Sequence, residues 1–431
     1  MSATGNIESN FITELLVSGD FVKVVDEGIT SNFFSGNFRQ AFKFILNHNT
    51  SYGKLPTITT FKKKFPDIAL TRTNKKYGTG EPMLYWCDEL RNKKKHNMLV
   101  EALEEAGDDI NVLETEKALE RVRRVIYDVE NQVVKGDRVK INEATNKRFE
   151  DYKKRQKTGG MTGLPTGIDL LDEAMGGLNK GELTTFMAYT GVGKTWLEVI
   201  IAVHLAKLGY RVLFMTTEMS TRNMFRRIDA VWNKFDYSLF KKGQLTRKDE
   251  KRYEQYLEDM ENKSDDEVML VVEQATGGVA QISAKVEQYK PDVLLVDGAY
   301  LLEDDYKGDD DWKAVIRIWR ALHKLCLAKD LPVVVTTQSK DETGAKLSSI
   351  NFAKAIAQDC DVIAVLEQDS QQKNDKEADI RFLKLREGDN LTKIFINWNF
   401  NTMEYNSIYK EKADVMDEEL TSKAKGVITI D

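Results

Sequence analysis

The chain has 431 residues, 41% of them hydrophobic and 31% charged, with 63 lysines and arginines against 69 aspartates and glutamates and a formal net charge of −6. At about 100–200 residues per domain, this length predicts two to three domains, and the composition excludes collagen-like, coiled-coil-only and wholly disordered chains. The acidic balance also excludes an argument for a polyanion partner from bulk charge, so any such site has to be a local basic surface.

Helical spacing dominates the first 130 residues. Phe11, Leu15 and Leu16, then Phe34, Phe38, Ala41, Phe42, Ile45 and Leu46, recur as helix faces. Thr57 or Thr59 is the expected N-cap of a short helix carrying Phe61 and Phe65. After a Gly- and Thr-rich interruption near Thr71–Gly80, amphipathic segments over 83–106 and 113–129 complete an all-helical module. Residues 131–161 then turn charged and polar and end in Thr158-Gly159-Gly160. One exposed helix over 141–156 is expected in this linker, either solvated or docked on a neighbouring subunit. From about Thr162, short apolar runs (183–188, 212–216, 268–272, 293–296, 333–337 and 362–366) alternate with helical stretches. That alternation predicts an α/β fold with a parallel sheet and helices on both faces. Segments 380–385 and 394–398 read as a terminal hairpin extending the sheet. Residues 410–431 read as an acidic tail.

Cys87, Cys326 and Cys360 stand singly, and four histidines are widely spaced, so neither a disulfide frame nor a zinc site is expected. Met1 to Asn10 lacks a signal-peptide pattern and no apolar run approaches a membrane span, so a cytoplasmic location is expected.

The strongest local signal is Ala188-Tyr189-Thr190-Gly191-Val192-Gly193-Lys194-Thr195, between a strand-like and a helix-like segment. Such a loop presents backbone N–H groups and a helix N-terminus to phosphate oxygens. Lys194 would neutralise the β- and γ-phosphates, and the Thr195 hydroxyl would hold Mg²⁺. Ala188 departs from the pattern, which has glycine there. Thr190, Gly191, Val192, Gly193, Lys194, Thr195 and Trp196 are the candidate nucleotide-binding residues. Asp297 ends the 293–296 strand, where a carboxylate can hold the same Mg²⁺; alone, such an Asp would read as a turn former. Glu218 follows the 212–216 strand as the candidate base for the attacking water, or as a favourable charge opening the next helix. Gln338 follows the 333–337 strand as a candidate γ-phosphate sensor, which the sequence alone does not separate from a plain loop glutamine.

Together, Gly163-Leu164-Pro165-Thr166-Gly167-Ile168-Asp169-Leu170-Leu171-Asp172, Gly176-Gly177-Leu178, the phosphate loop, Glu218-Met219-Ser220, the Asp297 and Gln338 strands, and Gln358-Asp359-Cys360-Asp361-Val362-Ile363 resemble the RecA-like domain of DnaB-type replicative helicases. The resemblance spans roughly Thr162 to Phe400 and points to a bacteriophage-type member. It implies a small helical N-terminal domain (1–130) forming a ring collar that meets primase, a linker (131–161) and an ATPase domain (162–409). It also implies a homo-hexamer with ATP and Mg²⁺ bound between subunits and a helicase loader as partner. Lys194, Thr195, Glu218, Asp297 and Gln338 would then act from one subunit. Arg386 would be the arginine finger from the neighbour, with Lys384 beside it; without the resemblance both read as a solvated hairpin face.

Single-stranded or forked DNA would meet channel loops. Lys340, Lys346, Phe352 and Lys354 are the candidates in one, and Lys307 in the other, although residues 303–311 are strongly acidic for that role. Phe352 equally reads as packed on its own domain. The basic runs Lys62-Lys63-Lys64 and Lys93-Lys94-Lys95 read first as solvated helix faces. The expected activity is an ATP-dependent helicase moving five-prime to three-prime at a replication fork. The rivals are a RecA-like recombination or repair ATPase with the same core, and a non-catalytic loader or scaffold. The joint presence of Lys194, Thr195, Glu218 and Asp297 opposes the scaffold.

Overall fold

The computed structural model describes residues 7–73, 76–131, 141–142, 145–305, 311–338, 356–386, 393–399, 401 and 403–409. The chain divides into two compact units, Met1–Thr145 and Asn146–Asp431.

In the first unit, helices α1 (Ile7–Ser18), α2 (Phe21–Asp26), α3 (Gly36–Tyr52), α4 (Ile58–Lys64), α5 (Met83–Asn111) and α6 (Thr115–Asn131) form the frame. Their helical-period residues converge as expected: Phe11, Leu15, Phe34, Phe42, Ile45, Phe61 and Leu90 are fully or almost fully buried. Phe34 stacks on Phe42 with centroids 4.5 Å apart, and Phe11 meets Phe34 edge-on at 5.3 Å. Thr57 caps α4, its hydroxyl accepting from Thr60 N at 3.2 Å. The Gly- and Thr-rich interruption is not purely loop. It holds a two-residue antiparallel ladder, β1 (Arg72–Thr73) with β2 (Lys76–Tyr77), and cross-strand packing of Arg72 on the Tyr77 ring secures it.

The second unit opens with α7 (Thr145–Lys157), shorter at its start than the expected 141–156. Phe149 and Tyr152 are both more than half exposed, with rings stacked 6.2 Å apart. Beyond α8 (Asp169–Met175) lies a nine-stranded sheet in the order β11-β10-β9-β8-β3-β7-β6-β4-β5. Six strands are parallel: β3 (Leu183–Ala188), β4 (Val212–Thr216), β5 (Leu270–Gln274), β6 (Val293–Asp297), β7 (Val333–Gln338) and β8 (Val362–Glu367). β9 (Glu377–Leu385), β10 (Lys393–Asn399) and β11 (Glu404–Tyr409) continue it antiparallel. The expected hairpin is therefore β9–β10, and β11 is a strand that the polar Glu404–Ser407 stretch conceals. β5 begins two residues later than expected, because Ser264 and Glu267 form a capping box around a short helical turn that reaches Val268.

Side chains alternate across a strand, so a buried strand needs cover on two faces. α9 (Lys194–Lys207) packs its Leu197, Ile200 and Ile201 against the Phe186, Phe214 and Leu295 face. On the other face, Trp319 of α14 (Asp311–Lys329) is fully buried and donates to Thr185 Oγ1 at 3.1 Å. Further helices among the described residues of this unit include α10 (Thr221–Asn233), α11 (Tyr237–Lys241), α12 (Arg247–Glu261), α13 (Val279–Tyr289) and α15 (Ser370–Asp375). All three cysteines are buried free thiols. Among the described residues no helix is long and apolar enough to cross a membrane.

Candidate nucleotide site at the carboxyl ends of the strands

β3 lies between β7 and β8, so the loop after it opens where the strand order reverses, the usual crevice of an open α/β sheet. Gly191 and Gly193 take φ of +85° and +119°, which lets the loop turn its N–H groups inward before α9 starts at Lys194. Lys194 is buried, and its ammonium donates to the carbonyl of Ala188 at 3.1 Å. Burial lowers its pKa, against the pull of the nearby Glu218, Asp297 and Glu198 carboxylates. A buried cation folded back on its own loop is poised to exchange a carbonyl for a phosphate oxygen.

Thr195 Oγ1 donates to Asp297 Oδ2 and Oδ1 at 3.1 and 3.2 Å. Asp297 is fully buried at the end of β6; burial raises its pKa and the Glu218 charge adds to that. A hydroxyl and a carboxylate side by side are the hard oxygen donors Mg²⁺ takes when substrate phosphates and waters complete its shell. Among the described residues no group of three His, Cys, Asp or Glu side chains could hold a metal alone. The pair thus fits a metal shared with a nucleotide.

Glu218 sits just past β4. Thr217 ties that end to β6, its N–H and hydroxyl donating to the Asp297 carbonyl at 3.1 and 2.8 Å. The Tyr300 hydroxyl donates to Glu218 Oε1 at 2.7 Å. Gln338 pairs in register with Ala188, at the mouth of the loop. The fold therefore gathers Lys194, Thr195, Glu218, Asp297 and Gln338 at one strand end. Trp196 is turned aside: its ring meets Tyr237 edge-on at 4.7 Å under the Arg227 guanidinium, leaving its backbone in the helix start.

Four further residues belong to this cluster and carry no sequence motif. Thr336 donates to Asp297 Oδ1 at 3.1 Å, and Gly298 N–H donates to Thr336 Oγ1 at 2.9 Å. Glu198, fully buried on α9, has its pKa raised well above the carboxylate range by burial and by Asp297. Tyr300 is the fourth. Alternation along β7 could have singled out Thr336; a polar residue within Val-Val-Val-Thr-Thr is its only trace in the sequence.

Lys384 and Arg386 lie elsewhere. β9 runs antiparallel to β8, with Leu385 opposite Val362 and Ile380 opposite Leu366. The pair thus sits at the amino ends of the parallel strands, roughly 15 Å from the loop at about 3.3 Å per residue. Lys384 donates to the Ala357 carbonyl at 2.7 Å and to that of Cys360. Arg386 pairs with buried Asp361 at 2.5 Å while its side chain stays 57% exposed. It also borders a cavity of about 600 Å³ lined by Arg155, Asp172, His204 and Asp361, which contains no residue of the phosphate loop. Lys307, Lys340, Lys346, Phe352 and Lys354 lie outside the described residues.

Residues 163–407 match the family described as DnaB-like helicase C terminal domain. The chain is 26% identical over 290 residues to the "Probable plasmid replicative DNA helicase" of Chlamydia psittaci, covering 64% of this chain and 61% of that protein. It is 23% identical over 283 residues to the "Replicative DNA helicase DnaB" of Geobacillus stearothermophilus, covering 63% and 60%. The chain thus spans about 60% of the length of these curated relatives. Among solved structures it resembles "The Structure Of A DnaB-Like Replicative Helicase And Its Interactions With Primase" (TM-score 0.57, 16% identity, 93% of this chain and 99% of that one). It also resembles a separately solved ATPase domain (TM-score 0.56, 19% identity, 63% of this chain and 100% of that one). At these identities the two structures show the fold.

Proposed function

Because the chain belongs to the family of the DnaB-like helicase C-terminal domain, we propose that it is a replicative DNA helicase that cleaves ATP at a seam built by two copies of itself. One observation carries the reading: the phosphate-handling side chains and the Lys384–Arg386 pair occupy opposite ends of the same sheet. An arginine that cannot reach its own loop, yet keeps an open guanidinium face, suits a loop on a neighbour.

In this reading the α9 N-terminus and loop N–H groups bind the phosphates. Lys194 leaves the Ala188 carbonyl to neutralise them. Thr195 and Asp297 would hold Mg²⁺, which when bound spreads charge from the β- and γ-oxygens. Glu218, oriented by Tyr300, accepts a proton from the attacking water, and Gln338 senses the γ-phosphate. Arg386 of one copy stabilises the charge that develops on the phosphoryl group in the next, so turnover depends on assembly. The assembly is a homo-hexamer on single-stranded DNA, moving five-prime to three-prime. Residues 1–130 serve as the collar that meets primase, residues 131–161 as the linker, and residues 162–409 as the motor; a loader delivers the ring. Lys307, Lys340, Lys346, Phe352 and Lys354 are the proposed DNA contacts. The protein works in the cytoplasm of a bacterium or of a phage-infected host cell.

The test is strand displacement on a forked duplex with and without ATP, alongside native mass measurement with Mg²⁺ and nucleotide. ATP-dependent displacement by a hexamer is the expected result. A monomer that hydrolyses ATP at full rate would overturn the reading.

A further inference from the structure

Residues 54–77 of the first unit carry seven lysines and arginines against the single Asp67, in a chain whose net charge is −6. Several cations elsewhere in this unit are neutralised. Arg91 is paired with Glu27 and Asp88, Lys93 with Glu8, Lys117 with Asp109 and Glu114, and Arg121 with Glu105 and Asp109. Among the described residues Lys62, Lys63, Lys64, Arg72 and Lys76 stand in no ion pair, and all but the half-buried Lys62 are exposed. Aromatic rings hold three of them instead. Lys62 Nζ lies 5.0 Å from the Tyr77 centroid and the Arg72 guanidinium 4.4 Å from the same ring, while Arg72 Nη2 donates to the Tyr77 hydroxyl at 2.6 Å. Lys64 Nζ lies 4.6 Å from the Phe44 ring.

Such a contact is enough to fix an exposed side chain but leaves its charge in place. Like charges this close in the chain repel, and the ring contacts hold Lys62, Lys64 and Arg72 in place with no counter-ion among the described residues. Phe44 continues into a row with His48 and Tyr52, centroids 5.9 and 4.8 Å apart, and Tyr52 ends it 69% exposed.

We infer that this face of the first unit, Lys62, Lys64, Arg72 and their neighbours with Tyr52, binds the phosphate backbone of single-stranded DNA, at a site separate from the ATPase unit. Backbone binding draws its affinity from cation density and counter-ion release, with exposed rings adding base stacking. A protein partner would need a buried apolar anchor, and here Phe61, Ile68 and Leu70 are all turned into the core.

The experiment uses the full chain without nucleotide and a fluorescein-labelled oligo-dT, reading affinity by anisotropy across a salt series. The variants are Lys62→Ala/Lys64→Ala/Arg72→Ala and, as a charge-preserving control, Lys62→Arg/Lys64→Arg/Arg72→Lys. Losing three phosphate contacts should flatten the slope of log affinity against log salt by about 2, at about 0.7 per contact. The control should keep the wild-type slope and melting midpoint, and the triple alanine variant, which loses the Tyr77 and Phe44 ring contacts, should still unfold cooperatively with its midpoint lowered by a few degrees. Tyr52→Ala should weaken binding several-fold without changing the slope. An unchanged slope in the triple alanine variant overturns the inference. So does a variant that binds oligo-dT normally but releases a polyglutamate peptide that wild type holds, since that result assigns the patch to an acidic protein. Because binding is read without nucleotide or unwinding, failure of the helicase reading would leave this result standing.

Discussion

Gly298 shows how little a single residue needs to contribute chemically to matter. It follows Asp297 with φ +80°, and a Cβ there would lie 2.4 Å from Thr217 Oγ1 and 2.9 Å from Glu218 Cγ. A side chain is therefore excluded both by backbone strain, about 1–3 kcal/mol, and by the position of the candidate base. Gly298→Ala should leave nucleotide affinity within a few-fold while turnover falls at least about tenfold, a kcat effect readable by phosphate release. Lys194→Ala should abolish turnover, because no other described cation lies in the loop. Arg386→Ala should keep ATP binding and lose roughly 10³-fold in hydrolysis, the usual worth of an arginine finger. Normal turnover in that variant would remove Arg386 from the site. Lys194 and Thr195 are legible in sequence because a spacing motif names them, and Asp297 because it ends an apolar strand. Gly298, Tyr300, Thr336 and Glu198 are not, since their role arises only where β4, β6, β7 and α9 converge.

Elements were readable to the extent that their burial is periodic. β3, β4 and β6 are buried on both faces, so unbroken apolar runs mark them. β5 and β11 sit at the two edges of the sheet and carry polar residues, and these are the strands that shift or escape notice. The Thr57 cap was legible because its chemistry is local; Thr57→Ala should cost about 1 kcal/mol, seen as a lower melting midpoint with the helical signal retained. Trp319→Ala should cost about 3–5 kcal/mol, since it leaves a void against β3 and removes one of the two hydrogen bonds of the Thr185 hydroxyl. Chemical denaturation of the full chain checks it; a loss below about 1 kcal/mol would show that α14 does not seal that face.

At the scale of the whole molecule, the separation of Arg386 from its own loop makes an assembly prediction. A seam that uses the loop of one copy and the arginine of the next is heterologous, and repeating it gives a ring where the rotation closes and a filament where it does not. Two inactive variants should then rescue each other. In an equal mixture of Lys194→Ala and Arg386→Ala subunits, roughly a quarter of the seams join an intact loop to an intact arginine. ATP hydrolysis should reappear on subunit exchange, and its absence despite mixed assemblies in native mass spectra would count against a shared seam.

The amino-acid sequence alone determined the helical first unit, the parallel core of the second and the candidate phosphate loop with its lysine and threonine. Each of these is written in local period or fixed spacing, where a residue's neighbours in the chain are its neighbours in space. Tertiary structure alone decided which side chains surround Asp297, that Trp196 turns away, and that Lys384 and Arg386 face the far end of the sheet. It also decided that Lys62 and Arg72, ten residues apart, meet at the Tyr77 ring. These are contacts between segments distant in the chain or brought together by a turn, and strand order and register, not spacing, set them.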